Sequence, residues 1–391
     1  MFAENFVSLP LEMAGLYIHI PFCKSRCVYC GFYSTTLHEW HSRYVNALCH
    51  EMELRPLSSV GEPVSTVYLG GGTPSVLEPE LLRRLFFFIN KVYRPVPSCE
   101  TTIECNPDDV TPELSTLLSE LGVNRVSMGA QTFSDERLNF LHRRHTAGQV
   151  GTAMERLRTA GIGNVSIDLM YGFPGETLDD WQRDIRAALA LRPEHLSAYA
   201  LMYEEGTPLY RQWQEGRFRE TDEELERTMY YTLIDQLAAA GYEHYELSNF
   251  ARPGYRSRHN SSYWHDVPYI GIGAAAHSYS PRLPAGDKAA CRSWNVSDVC
   301  RYTEALEHGG RPCERELLDE ETHYNDTVLT ALRTCEGIAL DTLPAPLRSY
   351  LLQNARRYID TNLLKMADEH LVLTRQGLFV SDMIMADLMK V

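Results

Sequence analysis

The chain has 391 residues, 44% of them hydrophobic, which is enough to bury one large core and a smaller second one. Its formal net charge of −15 argues against binding a phosphate backbone, because such binding requires clustered Lys and Arg. We therefore expect no nucleic-acid partner.

The first residues, 1–15, have neither a basic start nor a sustained apolar core, so they do not resemble a secretory signal. The longest conspicuous apolar run, residues 85–89, is far too short to span a bilayer. Ten cysteines in a chain without an export signal indicate reduced thiols and metal ligation rather than a disulfide framework. We expect a soluble, cytoplasmic protein.

Six β-type runs alternate with helical patterns, and each run ends in Gly, Pro or polar residues. The predicted strands are residues 16–22, 65–71, 101–107, 125–131, 165–172 and 195–202. The predicted helices are residues 38–56, 79–92, 112–121, 146–160 and 178–190. This alternation predicts an α/β fold, a barrel or partial barrel of six parallel β/α repeats, with its site at the carboxyl ends of the strands.

Three cysteines, Cys23, Cys27 and Cys30, follow the first predicted strand in the run HIPFCKSRCVYCGF. A four-iron cluster normally takes four thiolates, so three on one loop would hold three irons and leave the fourth open for chemistry. The alternatives are a zinc knuckle with a distant fourth ligand, or three unrelated thiols; zinc loops usually carry paired C-x2-C units, which favours the cluster. The remaining seven cysteines show no ligand spacing and are interpreted as structural: Cys49, Cys99, Cys105, Cys291, Cys300, Cys313 and Cys335.

Glycine and polar residues stand in or close the following strands. Residues 70–72 are three glycines, whose turn lets backbone groups approach a ligand, although a purely structural turn is the alternative. Glu104, Gln131 and Asp168 lie in or at the end of apolar strands, where an unpaired carboxylate is costly. Arg143 can pair with a carboxylate, including that of a bound amino acid; the alternative is a ring of structural ion pairs.

Beyond residue 205 the pattern loosens. Residues 221–242 predict a long acidic helix, residues 242–250 a short strand, and residues 280–288 a connector rich in Pro, Gly and charge. Residues 325–340 and 370–389 have the helix-plus-wing layout of a small winged-helix unit, for which the acidic balance favours a packing or lid role over DNA binding. The predicted segments are a barrel at 1–205, a barrel extension at 206–290 and a mainly helical, winged-helix-like domain at 291–391.

The run CKSRCVYC is the C-x3-C-x2-C signature of the radical S-adenosylmethionine (SAM) superfamily. Further runs, at residues 16–23, 68–75, 103–107, 125–133 and 166–177, resemble the family of oxygen-independent coproporphyrinogen III dehydrogenase and the HemW haem chaperones. The resemblance covers most of the first 200 residues in family order. It implies a partial TIM-type barrel with one [4Fe-4S] cluster and bound SAM. The residues that it places in the SAM pocket are Tyr17, Gly72, Thr73, Glu104, Gln131, Arg143 and Asp168.

Several features favour a chaperone over the dehydrogenase. The dehydrogenase pattern has a fourth cysteine where this chain has Phe32, and the run RHNSSYW at 258–264 reproduces the H-N-x-x-Y-W motif of the chaperones. The chain is also shorter than expected for the dehydrogenase and lacks its long extension before the first strand. One departure is Gly31, where many chaperones have Asp.

The motif offers groups that suit haem, because an imidazole can ligate iron and flat aromatics can cover a porphyrin face. We predict His259, Tyr263 and Trp264 as haem-binding residues, with His265 and His277 as competing ligands. The alternative is that the aromatics pack against the mouth of the barrel while His259 hydrogen-bonds the backbone.

The resemblance therefore implies a haem chaperone that passes haem to an unknown acceptor protein, with transient membrane association during delivery. The alternative function is radical SAM oxidative decarboxylation of coproporphyrinogen III or another tetrapyrrole reaction. The oligomeric state is left open.

Overall fold

The computed structural model describes residues 14–56, 63–281 and 290–390. Most strands join one twelve-stranded sheet and the last three form a second, small sheet. The strands are β1 Ala14–Ile20, β2 Val64–Gly71, β3 Glu100–Cys105, β4 Arg125–Gln131, β5 Asn164–Tyr171, β6 His195–Ala200, β7 Glu243–Glu246, β8 Asn249–Ala251, β9 Tyr269–Ile272, β10 His277–Ser280, β11 Ala290–Asn295, β12 Cys313–Leu318, β13 Ile338–Ala339, β14 Leu364–Ala367 and β15 His370–Leu373.

Helices connect the strands and cover the outer face of the large sheet. They are α1 His41–Leu54, α2 Pro79–Tyr93, α3 Pro112–Glu120, α4 Asp135–Phe140, α5 Ala147–Thr159, α6 Leu178–Ala190, α7 Pro208–Gln214, α8 Glu223–Ala239, α9 Arg258–Trp264, α10 Val299–Glu307, α11 Glu320–Ala331, α12 Ala345–Asp360, α13 Arg375–Leu378 and α14 Ser381–Leu388. Within the described residues no helix is long and apolar enough to cross a membrane.

Strands β1 to β6 are parallel neighbours in chain order, which confirms the predicted partial barrel of six β/α repeats. The first strand runs over Ala14–Ile20, two residues earlier than predicted, and the predicted helix at 178–190 is reproduced as α6. A capping box formed by Thr177 and Asp180 sets the start of α6. The sheet is open, with β12 and β7 at its two edges.

Side chains alternate along these strands between two different environments. In β1, Leu16, Ile18 and Ile20 are fully buried in the apolar core beneath the helices. The residues between them, Tyr17 and His19, point the other way, and their side chains bond to each other. The inner face of the barrel therefore carries polar and small side chains around a lumen.

The flanks of the sheet are antiparallel, apart from β9, which pairs parallel to β1. The single strand predicted at 242–250 is wrong, because the structure has a hairpin of β7 and β8 there. The carboxylate of Glu246 caps its turn by accepting the backbone N–H of Ser248 at 3.0 Å. Sequence analysis did not identify β9 to β12.

A buried carboxylate ties the flank to the barrel. Glu51 in α1 is fully buried and accepts hydrogen bonds from the Gly273 backbone, the Asn295 amide and the Tyr302 hydroxyl. Its charge is matched by Arg55 one helical turn on, with Nη1 3.1 Å from Oε1. Three separate chain segments converge on this one side chain.

A second apolar core lies in the carboxyl-terminal part and draws on α11, α12, α14 and the small sheet β13-β15-β14. The β14–β15 hairpin supplies the wing, so the winged-helix-like unit is confirmed as part of the fold. Strands β11 and β12 belong to the large sheet instead. Most of the connector predicted at 280–288 lies outside the described residues, and the division at residue 290 stays a prediction.

Removing the Glu51 carboxylate tests its structural role. Glu51→Ala removes the carboxylate that pairs with Arg55 and accepts from several buried donors, so the free energy of unfolding should fall by about 3–5 kcal/mol. Urea denaturation followed by circular dichroism measures it. The matched control is Glu120→Ala, which breaks an exposed pair with Arg83 and should cost at most about 1 kcal/mol. Equal effects of the two substitutions would contradict the role given to Glu51.

Candidate cluster and cofactor site

The cysteine loop leaves the carboxyl end of β1 and is closed by backbone hydrogen bonds. The N–H of Cys23 donates to the carbonyl of Thr35 at 2.9 Å, and the N–H of Thr35 donates to Pro21 at 2.7 Å. Farther along, the N–H of Val28 donates to Leu141 at 3.3 Å. The loop therefore has a defined conformation at the barrel mouth, where the sequence places it.

The three loop thiols are partly buried and lie within electrostatic range of one another. Burial raises the pKa of Cys23, and it raises the pKa of Cys30 to about 11, with charge on Cys27 and Cys23 adding to the effect. Thiols with raised pKa values bind metal only as they lose their protons. All ten cysteines are free thiols.

No group of three or more His, Cys, Asp or Glu side chains among the described residues is arranged to hold a single metal ion. A four-iron cluster is larger and takes its thiolates at separate corners. The three thiols fit this second kind of group, since they share one closed loop and donors reach two of the sulfurs: Thr73 Oγ1 lies 3.5 Å from Cys23 Sγ, and Arg143 Nη1 lies 3.5 Å from Cys27 Sγ.

The glycine turn at the end of β2 lies directly on the cysteine loop. The N–H of Gly72 donates to Ile20 and that of Thr73 to Phe22, both at 2.8 Å. A Cβ on Gly72 would stand 2.7 Å from the backbone of Pro21, which is closer than real contacts allow. Gly71 has a φ of +112°, a conformation that favours glycine. The turn thus requires glycine for packing, and contact of Gly72 and Thr73 with SAM stays a prediction.

Glu104 in β3 holds this turn from the lumen side. Its carboxylate accepts the hydroxyl of Tyr68 at 2.8 Å and the backbone N–H of Gly71 at 3.0 Å. Burial raises the pKa of Glu104 to about 7, although both hydrogen bonds favour the ionised form. Its protonation state therefore changes near neutral pH.

Arg143 is the centre of a hydrogen-bond chain between two of the cysteines. Besides Cys27, its guanidinium contacts the side chain of Asn106 at 2.6 Å, and Asn106 in turn donates to Thr73 Oγ1 at 3.3 Å. Thr73 contacts Cys23, so the chain runs from one sulfur to another. Asn106 is not among the residues predicted from the sequence, although it stands in the run IECNP just after β3, at the same end of the barrel as the other site residues.

The guanidinium of Arg143 also donates to the backbone carbonyl of Gly129 at 2.5 Å. Its Nε is buried and, within the described residues, has no hydrogen-bond partner. Gln131 follows a register shift in β4 and has a φ of +66°. A Cβ on Gly129 would stand 2.7 Å from Gln131 Nε2 and 3.1 Å from Arg143 Nη2. The Gln131 amide and the Arg143 guanidinium are thus both close to Gly129.

Asp168 in β5 is surrounded by hydroxyls. It accepts from Ser127 at 3.1 Å, from Ser166 at 3.3 Å and from Ser197, and burial raises its pKa. The ion pair that sequence analysis considered for Arg143 does not form in the described part of the chain, where neither Glu104 nor Asp168 has a cation within 4.0 Å. Both carboxylates remain available to a ligand.

The HNSSYW motif lies at the other end of the barrel. Helix α9 contains it, and the N–H of His259 donates to Glu100, the first residue of β3, at 3.0 Å. The imidazole is 1% exposed; Nδ1 lies 2.8 Å from Thr66 Oγ1 and Nε2 lies 2.9 Å from the hydroxyl of Tyr263. Burial lowers the pKa of His259 to about 3. Both ring nitrogens are therefore engaged inside the protein.

The remaining candidates for haem differ in exposure. Trp264 is partly buried, its Nε1 has no hydrogen-bond partner among the described residues, and the guanidinium of Arg333 lies 5.1 Å from the ring centroid. His265, at the carboxyl end of α9, is exposed, and its Nδ1 lies 2.7 Å from the carbonyl of Ser261. His277 is exposed and stacks on Trp294. Haem binding by His259, Tyr263 and Trp264 stays a prediction.

Two family models match the chain: the radical SAM superfamily over residues 17–188 and the HemN C-terminal domain over residues 318–380. Heme chaperone HemW of Bacillus subtilis is 38% identical over 332 residues, 84% of this chain and 85% of that protein. Heme chaperone HemW of Mycobacterium tuberculosis is 33% identical over 386 residues, 97% and 96% of the two chains.

The chain belongs to the HemW family of radical SAM proteins. The resemblance stated from its motifs is thereby confirmed. Coproporphyrinogen III oxidase (HemN) from Escherichia coli has the same fold, with a TM-score of 0.83 over 98% of this chain and 92% of that chain, at 21% identity. At that identity the likeness concerns the fold alone.

The glycine turn at residues 70–72 offers a first test at this site. Gly72→Ala forces a methyl group against the backbone of Pro21, so it should destabilise the protein by about 1–3 kcal/mol and lower the iron and sulfide content after anaerobic reconstitution. Gly148→Ala is the control, because its added methyl group would meet no atom within 4 Å. Full cluster loading of Gly72→Ala would contradict the dependence of the loop on this turn.

A second test uses the pKa of Glu104. Because burial raises it from an ordinary 4.5 to about 7, the stability that the protonated carboxyl contributes is complete at low pH and is lost as the pH rises through about 7. Glu104→Gln cannot ionise. Its Tm relative to the wild type should therefore rise between about pH 5 and about pH 8. Glu80→Gln, at an exposed position in α2, should follow the wild type. A constant Tm difference for Glu104→Gln would contradict the titration.

Proposed function

We propose that this chain is a haem chaperone, which binds haem together with a SAM-ligated [4Fe-4S] cluster and passes haem to an acceptor protein. The HemW relatives that it matches over most of their length carry the name heme chaperone. The observation that separates this function from decarboxylation is Phe32. It stands where the dehydrogenase pattern has a fourth cysteine, and its side chain is 74% exposed.

Gly31, which precedes Phe32, lies beside Glu204 in the segment after β6. A Cβ on Gly31 would stand 1.7 Å from the Glu204 carboxylate, which is the end of an exposed, flexible side chain. An exposed aromatic beside the loop suits contact with a flat apolar ligand or a partner protein, whereas it offers no thiolate.

We propose that Cys23, Cys27 and Cys30 hold the cluster. When bound, the cluster supplies an open iron for SAM and an electron for cleavage of the SAM sulfonium. The donors from Thr73 and Arg143 would stabilise negative charge on the sulfurs that they contact. Both reach their sulfurs from outside the loop.

The proposed SAM pocket adjoins these donors. Arg143 has an unpartnered N–H for the carboxylate of the amino-acid part, and Glu104 and Asp168 supply acceptors. Tyr17, Gly72, Thr73 and Gln131 complete the proposed pocket. The hydroxyl of Tyr17 lies 2.9 Å from Nδ1 of His19, which is nearer the mouth of the barrel on the same strand.

We propose that haem binds at the HNSSYW motif. Ligation by His259 requires that its hydrogen bond to Thr66 or to Tyr263 be broken, because both ring nitrogens are engaged. His265 is exposed six positions later and can reach a ligand without breaking these bonds. Delivery to an acceptor in the cytoplasm, with transient membrane association, belongs to the same proposal.

The deciding experiment reconstitutes the full chain anaerobically with iron and sulfide and divides one sample between two assays. Haem titration should show a visible absorption band that saturates, and coproporphyrinogen III should not be converted in the presence of SAM and reductant. Conversion without haem retention would overturn the proposal in favour of the decarboxylase. Stoichiometric zinc without inorganic sulfur would overturn the cluster assignment.

Single variants separate the two cofactors. Cys27→Ala leaves two thiolates and should abolish the four-iron spectrum while haem binding at α9 survives. His259→Ala and His265→Ala should differ: the variant that removes the ligand should lose about tenfold or more in haem affinity and change the absorption band. His308→Ala, at an exposed position, is the control. Unchanged haem spectra in both histidine variants would contradict binding at the motif.

A further inference from the structure

Three neighbouring residues form the floor of the barrel lumen. Thr102, Arg125 and Asn164 are register partners across β3, β4 and β5, so they lie at one level near the amino-terminal ends of the strands. The residues that follow them, including Val126 and Val165, are fully buried in the outer apolar core. Because side chains alternate along a strand, the three polar side chains share the lumen face. We call them the lumen floor.

Each residue of the lumen floor has a buried polar atom without a partner. In the part of the chain that the structure describes, these atoms are Thr102 Oγ1, Arg125 Nε and Nη1, and Asn164 Oδ1. Arg125 is only 1% exposed, and no carboxylate of the described residues lies within 4.0 Å of its guanidinium. A buried charge without a partner costs several kcal/mol, and buried donors are rarely left unpaired in native proteins.

Among the described residues, no negatively charged group close to Arg125 neutralises the charge of its guanidinium. Its charge acts on Glu104 and Asp168, but both carboxylates lie farther up the lumen and are held by other donors. Its other charge-sensitive neighbours include two imidazoles, His195 and His259, whose pKa values are lowered by burial and then by Arg125 itself. Neutral imidazoles bring no negative charge, so the guanidinium needs an additional partner.

We propose that the lumen floor binds a small carboxylate group, held by Arg125 and Thr102. A guanidinium matches a carboxylate in a bidentate pair, and the Thr102 hydroxyl is a third donor at the same level. Buried water would satisfy the hydrogen bonds but bring no charge. The amide of Asn164, rotated by half a turn, presents Nδ2 to the same group.

The group enters from the mouth of the barrel. Burial decreases in that direction, since Asp168 and Glu104 are partly exposed and Tyr199 in β6 is 43% exposed. The floor site is distinct from the pocket proposed for SAM, because Arg125 precedes Gly129, which Arg143 contacts, by four residues along β4. The carboxylate is either a free small acid or an acidic side chain of a larger ligand, and the first case does not depend on the proposed haem function.

Acetate serves as the probe on the full-length protein. At constant ionic strength, acetate at about ten times its Kd should raise the Tm of the wild type by about 2 °C. The shift should vanish in Arg125→Met, which keeps a long side chain but removes the charge. Arg83→Met, at an exposed position in α2, should retain the shift. An equal shift in all three proteins would overturn the proposal.

Arg125→Met can fail to fold, so a measurement on the wild type is also needed. Crystals soaked in bromide should show one anomalous peak at hydrogen-bond distance from the Arg125 guanidinium, and soaking in acetate should replace it with planar density. Ordered water alone at the lumen floor in both soaks would overturn the proposal.

The source of the carboxylate is found by competition on the same protein. If haem displaces labelled acetate and the dimethyl ester of haem does not, the lumen floor receives an acidic side chain of haem. If neither displaces it, the floor receives a free acid. Both results support the carboxylate site, and only the first rests on the proposed haem binding.

Discussion

The structure depends on one constraint, the two-residue alternation of side chains in six parallel strands. Parallel strands buried on both faces usually have nearly continuous apolar sequences. Here only one face is apolar: Ile18 and Leu69 are fully buried under the helices, whereas Tyr17 and Tyr68 line the lumen. A shift of one residue would place the polar set in the apolar core. The same alternation thus stabilises the fold and creates the space for ligands.

The cysteine loop is positioned by neighbouring strands rather than by its own sequence. Because β1 and β2 end together, the N–H groups of Gly72 and Thr73 donate to the carbonyls of Ile20 and Phe22 just before the cysteine loop, and the missing side chain of Gly72 makes this contact sterically feasible. Asn106 and Arg143 then connect the carboxyl ends of β3 and β4 to the sulfurs. The conformation of the loop is therefore set by contacts within the protein, and such preorganisation would reduce the ordering cost of binding a cofactor there.

Sequence reasoning succeeded where the signal is local. Strands β1 to β6 are long runs closed by Gly or polar residues, and the cysteine spacing specified the loop. It failed for β12, which exposes five of its six residues and therefore has no apolar pattern. It also missed the environment of His259, because the hydrogen-bond partner Thr66 is 193 residues away in the chain. The environment of Arg125 could not be predicted from the sequence either. Only the register of β3, β4 and β5 shows that Thr102 and Asn164 lie beside it and also have buried polar atoms without a partner among the described residues.

The two ends of the barrel are linked by a continuous set of contacts. The His259 ring stacks on Tyr68 with centroids 5.1 Å apart, Tyr68 donates to Glu104, and Glu104 accepts the N–H of Gly71 in the turn that supports the cysteine loop. A shift of α9 that moved the His259 ring would break its stacking contact with Tyr68. Spatial continuity alone does not establish coupling, which requires that each ligand alter the affinity for the other. Coupling between the HNSSYW motif and the proposed SAM pocket would therefore pass through the side chains of Tyr68 and Glu104. Neither side chain touches the cysteine sulfurs or the exposed face of α9.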